Sequence, residues 1–145
     1  MMFVAVGVNS QNVVRNMTIY NINGFVDDCL KELGVDSTMI NIQTVDGLIF
    51  SKYEAICKKT DCLYTVAVSN TLFYDGVLKS VAHELIHVKQ YTSGKLKILG
   101  NGNIEFGILA IRTTNDSHYN DPQEVEARVL GLQLYEKFKT SYLYK

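Results

Sequence analysis

Residues 81–88 have the sequence VAHELIHV, and this short motif strongly constrains the local structure of the chain. Two histidines stand four residues apart, and a glutamate directly follows the first. On an α-helix such histidines lie on one face, one turn apart, so both imidazoles can reach the same metal ion while the glutamate faces water at that metal. Because this chemistry needs helical spacing, the motif predicts a helix over residues 76–91.

Helical phase across this segment supports the same prediction. At about 100° per residue, one side of the helix is apolar, comprising Val77, Leu78, Val81, Leu85 and Val88, with Ala82 at its margin. The opposite side carries His83 and His87, together with Gly76, Ser80 and Gln90. Asp75 is expected to cap the helix N-terminus. The competing interpretation is that the two histidines belong only to the solvated face of an amphipathic helix.

Two histidines do not complete a catalytic zinc site, which ordinarily has three protein ligands and one position for water. The metzincin pattern continues with a glycine and a histidine where this chain has Gln90 and Ser93, so that class is excluded. The third ligand must then come from the downstream donors, which are Glu105, Asp116, His118, Asp121, Glu124, Glu126 and Glu136.

The segment YNDPQEVEA, residues 119–127, provides a resemblance to a known family. A tyrosine followed seven residues later by a helical glutamate, after an HExxH helix, resembles the small gluzincin-type metallopeptidases. These include the minigluzincins and lethal-factor-like zincins of bacteria and phages. The resemblance covers residues 83–127. It implies a compact zincin-like fold, in which a small mixed sheet accompanies the HExxH helix and a C-terminal helix supplies a glutamate ligand.

The resemblance also implies roles for individual residues. His83, His87 and Glu126 would bind Zn²⁺, Glu84 would be the general base, and Tyr119 would donate a hydrogen bond to the developing oxyanion. These roles imply hydrolysis of peptide bonds by zinc-activated water, with Glu84 returning the proton to the leaving amine. Two histidines and a carboxylate also suit Mn²⁺, Fe²⁺ or Co²⁺.

Glu124 is the rival to Glu126 as the third ligand. Asp121 and Pro122 predict a helix start, and Glu124 then stands where a capping box places its carboxylate, at the favourable N-terminal end of the helix. Helical phase leaves the choice open, and the preference for Glu126 rests on the resemblance. Tyr119 has an ordinary alternative as a surface tyrosine.

The remaining pattern predicts an α+β fold in one domain over residues 1–145. Strands are expected at 3–8, 39–45 and 63–68, with a hairpin of 95–99 and 104–111 around the turn sequence GNGN. Helices are expected at 24–33, 51–59, 76–91 and 122–140. The chain has no repeats and no linker-like segment, so we expect no domain boundary.

Composition limits the setting of the protein. A net charge of −1 offers no general attraction to nucleic acid or anionic lipid, and the nearest basic cluster, Lys52, Lys58 and Lys59, is small. We therefore expect no nucleic-acid or membrane partner. Cys29, Cys57 and Cys62 form no CxxC pair and are expected to be free, mostly buried thiols. Together with the absence of a signal-like N-terminus, they favour a cytoplasmic location.

The expected partner is a peptide or protein substrate, and the sequence does not indicate the oligomeric state. Strand 63–70 is expected to be an edge strand that adds the extended substrate to the sheet. The alternative function is a non-catalytic zincin-like domain that binds metal for structure or binds a partner protein. The presence of Glu84 argues against it, because a structural metal site needs no general base.

Overall fold

A computed structural model describes residues 12–45, 55–60, 63–69, 74–100, 103–112 and 120–143. The helices are α1 (Asn12–Leu33), α2 (Tyr74–Thr92) and α3 (Pro122–Leu143), and a 3₁₀ turn covers Ser37–Met39. The strands are β1 (Ile40–Val45), β2 (Ala55–Thr60), β3 (Leu63–Ser69), β4 (Leu96–Gly100), β5 (Asn103–Phe106) and β6 (Leu109–Arg112). The α+β prediction is confirmed. None of the helices in these ranges is both long and apolar enough to cross a bilayer.

The first sheet has the strand order β1-β3-β2 and is mixed. β1 runs parallel to β3, with Ile40 opposite Tyr64, whereas β2 runs antiparallel to it, with Cys57 opposite Val66. The prediction of an edge strand at 63–70 is wrong, because β3 is paired on both sides and its backbone has no edge left for a peptide. Among the strands that the structure describes, β1 and β2 are the outer strands of this sheet.

The helix predicted at 51–59 is also wrong over the residues described. Residues 55–60 form β2, and all six pair with β3. A segment this short has a weak local preference, so pairing with a neighbouring strand determines its conformation. Residues 51–54, like the strand predicted at 3–8, lie outside the described part of the chain.

The second sheet is an antiparallel meander of β4, β5 and β6. The predicted hairpin between residues 95–99 and 104–111 is confirmed for β4 and β5. However, the second predicted strand is split in two by a turn at Gly107 and Ile108. Gly107 has φ +61°, a conformation that favours glycine, so the chain reverses there and returns as β6.

The hydrophobic core surrounds α2, against which α1, α3 and the first sheet pack. The predicted apolar face of α2 is confirmed, since Val81, Leu85 and Val88 have no exposed surface. α1 contributes Phe25 and Cys29 to this core and begins twelve residues before its predicted start. Cys29 is a free, buried thiol as predicted, while the side chains of the other two cysteines lie outside the description.

A close approach between α2 and α3 fixes how these two helices cross. A Cβ atom added at Gly131 would lie 2.9 Å from His83 Cα and 3.0 Å from His83 N, both backbone atoms. A buried stripe runs along this face of α3 and comprises Gln123, Glu124, Ala127, Gly131, Leu134 and Tyr135. The stripe therefore brings the first turn of α3 over the HExxH segment.

Candidate metal centre

α2 presents the two histidines and the intervening glutamate together, as the motif requires. His83, Glu84 and His87 each offer a ligand atom, and these atoms lie within 4.8 Å of one another. The two imidazole rings are 5.0 Å apart at their centroids and inclined at 76°. The helix begins at Tyr74, so Asp75 lies in its first turn and the predicted N-cap at Asp75 is wrong. The predicted helix itself is confirmed.

α3 completes the cluster with Glu124, whose carboxylate spans both histidines. Glu124 Oε1 lies 3.1 Å from His83 Nε2, and Oε2 lies 2.9 Å from His87 Nε2. The start of α3 positions this side chain: Pro122 is the first helical residue, and the Asp121 carbonyl accepts hydrogen bonds from the backbone N–H groups of Glu124 and Val125. The predicted helix start at Pro122 is confirmed.

Glu126, the glutamate preferred from the sequence, lies elsewhere in the structure. Its Oε2 accepts a hydrogen bond from Lys95 Nζ at 2.5 Å, and its Oε1 accepts one from Gln90 Nε2 at 3.2 Å. The structure therefore places Glu124, and not Glu126, beside both motif histidines. The physical reason is helical phase: Glu124 lies in the buried stripe of α3, whereas Glu126 follows Glu124 by two positions, about 200° around the helix.

Gln90, one turn after His87, is buried with 1% of its surface exposed and has polar partners on three sides. His87 Nδ1 lies 2.8 Å from Gln90 Oε1. Gln90 Nε2 donates to the backbone carbonyl of Gln123 at 3.1 Å as well as to Glu126. The amide therefore contacts a histidine of the cluster and the first turn of α3 at the same time.

Electrostatics in the cluster favour a charged His87 when no metal is bound. Burial lowers the pKa of His87, but the hydrogen bond with Glu124 and the negative charges of Glu84 and Glu124 outweigh burial and raise the pKa to about 9. Protonated His87 then donates from Nε2 to Glu124. A divalent cation would replace that proton as the positive charge shared by these groups.

The donor set could hold a metal ion. Ligands at the usual Zn–N and Zn–O distances of about 2.0–2.2 Å are separated by about 3.3 Å in a tetrahedral site. The distances of 3.1 and 2.9 Å between Glu124 and the two Nε2 atoms are close to that value. The side chain of His83 is 24% exposed whereas that of His87 is 9% exposed, so the centre is reached from the His83 side.

Two residues considered from the sequence, Tyr119 and His118, lie outside the described residues, and the oxyanion role of Tyr119 stays a prediction. Gln90 was not assigned a role, although the sequence carried a signal for it. It lies three residues after His87 on the histidine side of the helix. A polar residue at that phase is suited to contact a ligand histidine.

Comparison of the chain with protein-family models, with curated proteins and with solved structures gives no match.

Proposed function

We propose that this chain is a zinc-dependent metallopeptidase of the gluzincin type, with His83, His87 and Glu124 as the metal ligands. The observation that carries the proposal is the position of Glu124, whose two carboxylate oxygens lie at the Nε2 atoms of both motif histidines. A carboxylate supplied by a second helix is what the HExxH motif lacks for a three-ligand site. A zincin-like arrangement of the fold is part of the same proposal.

Glu84 is the proposed general base. It is 7% exposed and sits between the two ligand histidines in sequence, with a carboxylate oxygen within 4.8 Å of their ligand atoms. A bound Zn²⁺ would supply Lewis acidity, which lowers the pKa of a water molecule to about 7 and polarises a substrate carbonyl. Glu84 accepts the proton of the attacking water and delivers it to the leaving amine. Peptide or amide hydrolysis is the reaction class that uses both steps.

The outer strand β2 is the proposed site for an extended substrate. β3, the strand expected from the sequence to take this role, is central in the sheet, whereas β2 is an outer strand that also contacts the metal-site helix α2. A peptide adding to β2 would form main-chain hydrogen bonds along it and lie beside α2. Sequence preference would then come from side-chain contacts around the strand.

Hydrolysis by the parent protein and by Glu84→Gln tests the proposal. The zinc-loaded parent is incubated with an unfolded protein substrate and with a degenerate peptide mixture, and new termini are identified by mass spectrometry. Glu84→Gln should keep its zinc and its circular dichroism spectrum and lose cleavage by about 100-fold or more, since general-base catalysis contributes on the order of 10²–10⁴-fold. A control variant, Glu105→Gln, removes a carboxylate from β5 and should cleave like the parent.

Two results would contradict the peptidase proposal. Cleavage that persists in Glu84→Gln would mean that Glu84 is not the base. Stoichiometric zinc with no cleavage of any sequence in the mixture would favour the alternative, a zincin-like domain that binds metal for structure or for a partner protein.

A further inference from the structure

We propose that Gln90 is a positioning residue of the metal centre, holding His87 with its Nε2 toward the metal and holding the turn of α3 that carries Glu124. This inference rests on the metal site of the proposed function and assigns a role to three residues outside the ligand set. Gln90, Glu126 and Lys95 form a chain of hydrogen bonds that leads away from His87, and we refer to them as the Gln90 network.

The contacts of the Gln90 amide determine which of its ends faces His87. The carbonyl oxygen of Gln123 can only accept a hydrogen bond, and it lies 3.1 Å from Gln90 Nε2, so this atom must be the NH₂ group. The carboxylate of Glu126 at 3.2 Å makes the same demand. Oε1 therefore faces His87 and can only accept.

That orientation in turn determines the state of the His87 ring. At 2.8 Å from an obligatory acceptor, Nδ1 must carry a proton. In the neutral imidazole the lone pair is then on Nε2, the atom beside Glu124. This is the tautomer that ligation through Nε2 requires, and partners of this kind fix both the tautomer and the ring orientation of ligand histidines.

The same amide joins the two halves of the centre. His87 belongs to α2, while Gln123 directly precedes Glu124 on α3, so one side chain contacts a histidine ligand and the backbone next to the carboxylate ligand. With 1% of its surface exposed, Gln90 has little access to water as a substitute partner. Loss of its amide would leave the Gln123 carbonyl without this donor in a buried position.

Glu126 and Lys95 extend the network toward the surface. Glu126 accepts from Gln90 through Oε1 and from Lys95 through Oε2, and its side chain is 26% exposed. Lys95, at the start of the second sheet, also lies over the ring of Phe106, 4.7 Å from its centroid. The network accordingly gives Glu126 a role that differs from metal ligation: it holds the Gln90 amide in the orientation that His87 needs.

Zinc affinity of variants in the network is the first test. Affinity is measured by competition with a chromophoric chelator on protein whose folding is verified by circular dichroism. Gln90→Ala should bind zinc about 10–100-fold more weakly than the parent, as expected for loss of a partner of a ligand histidine. Glu126→Ala, which acts on His87 only through Gln90, should weaken zinc binding by less than Gln90→Ala does. The matched control is Glu105→Ala, which removes another carboxylate paired with a lysine, at 3.9 Å from Lys97, and should leave the affinity unchanged.

Exchanging the amide of Gln90 with the carboxylate of Glu126 distinguishes a positioning role of Gln90 from a role in packing alone. Gln90→Glu places a carboxylate against two acceptors, the Gln123 carbonyl and Glu126, and should weaken zinc binding at least tenfold. Adding Glu126→Gln returns an NH₂ group to the contact with residue 126 while the Gln123 carbonyl stays opposed, so the double variant should bind zinc at least about threefold more tightly than Gln90→Glu alone. A coupling of this size between contacting residues is within the measured range for double-mutant cycles.

Nuclear magnetic resonance of the His87 ring provides a readout that simple packing would not change. In the zinc-loaded, ¹⁵N-labelled parent, the Nδ1 proton of His87 should exchange slowly with water because Gln90 accepts its hydrogen bond. In Gln90→Ala the same proton should exchange too fast to be observed, and in the double variant it should return. If Gln90→Ala is too unstable to study, the double variant Gln90→Glu with Glu126→Gln still tests the inference through this signal, because it preserves the buried volume.

The outcomes distinguish this inference from the proposed function. The positioning role is wrong, and the metal site stands, if Gln90→Ala and Gln90→Glu both bind zinc as tightly as the parent. The same conclusion follows if the effects of Gln90→Glu and Glu126→Gln on zinc affinity are additive in the double variant. If the parent binds no zinc, the metal site is wrong and the positioning role falls with it.

Discussion

Replacement of Gly131 by alanine tests the close crossing of α2 and α3 that brings Glu124 to the histidines. An added Cβ would lie 2.9 Å from His83 Cα and 3.3 Å from the Ala82 carbonyl carbon. Carbon atoms in contact prefer about 3.5–4.0 Å, so the helices must separate locally by roughly 0.6–1 Å. The atoms that obstruct the new methyl group are backbone atoms of α2, which have no alternative rotamer.

Two opposing terms set the effect on stability. Alanine is favoured over glycine inside a helix by about 0.8–1.0 kcal/mol, whereas overpacking of a tight contact costs about 1–3 kcal/mol. The metal-free Gly131→Ala variant should therefore be destabilised by about 0–2 kcal/mol. Glu124 lies seven residues away, about 10 Å along α3, so movement of the helix also shifts the carboxylate from the histidines. Zinc affinity should fall about tenfold, the equivalent of about 1.4 kcal/mol.

Urea unfolding and zinc competition measure these two quantities, and Gly24→Ala is the matched control. The Cβ added at Gly24 would meet the side chain of Tyr142 at 3.0 Å, at the opposite end of α3 from Glu124, and a side chain can rotate away. This variant should keep the zinc affinity of the parent. If Gly131→Ala also keeps that affinity, the crossing of the two helices does not set the geometry of the site.

Two further predictions follow from the pKa values of buried groups. The pKa of His87 in the metal-free protein is raised from 6.5 to about 9, so its contribution to stability is fully present below pH 6.5 and is lost as the pH rises through 9. Zinc must displace this proton, so zinc affinity should rise by about tenfold per pH unit between pH 6.5 and 8, and a flat profile by calorimetry would contradict the assignment. Burial, with the nearby charges of Asp28 and Glu32, raises the pKa of Cys29 to about 12. Cys29 should resist iodoacetamide at pH 8 in the native protein and react in urea, which peptide mapping by mass spectrometry would detect.

The sequence was sufficient to locate the elements whose local signals are strong. The apolar spacing from Val77 to Val88 indicated the buried face of α2, and Asp121 with Pro122 indicated the start of α3 to the residue. The strand predicted at 39–45 is present as β1. In each case a pattern within one element determines the outcome, because spacing and capping act within a few residues of the chain.

The errors concern features that depend on distant residues. β2 becomes a strand by pairing with β3, and β3 becomes central because β1 pairs with its other side, neither of which is visible in the segment itself. The choice between Glu124 and Glu126 depended on which face of α3 is buried. Apolar residues on its exposed side, Val129 and Leu132 at 52% exposure each, obscured that phase. Gly131, which permits the close approach to α2, is the residue that marks the buried face.

Metal content measured by inductively coupled plasma mass spectrometry tests the central claim most directly, with protein purified without chelators or a metal-affinity tag. The parent should contain or rebind about one zinc per chain, and Glu126→Ala should still reach one at saturating zinc. Glu124→Ala should remain well below one under the same conditions, because it retains only the two histidines. Loss of zinc from Glu126→Ala with retention in Glu124→Ala would reverse the ligand assignment, and a parent that binds no zinc would contradict the metal centre altogether.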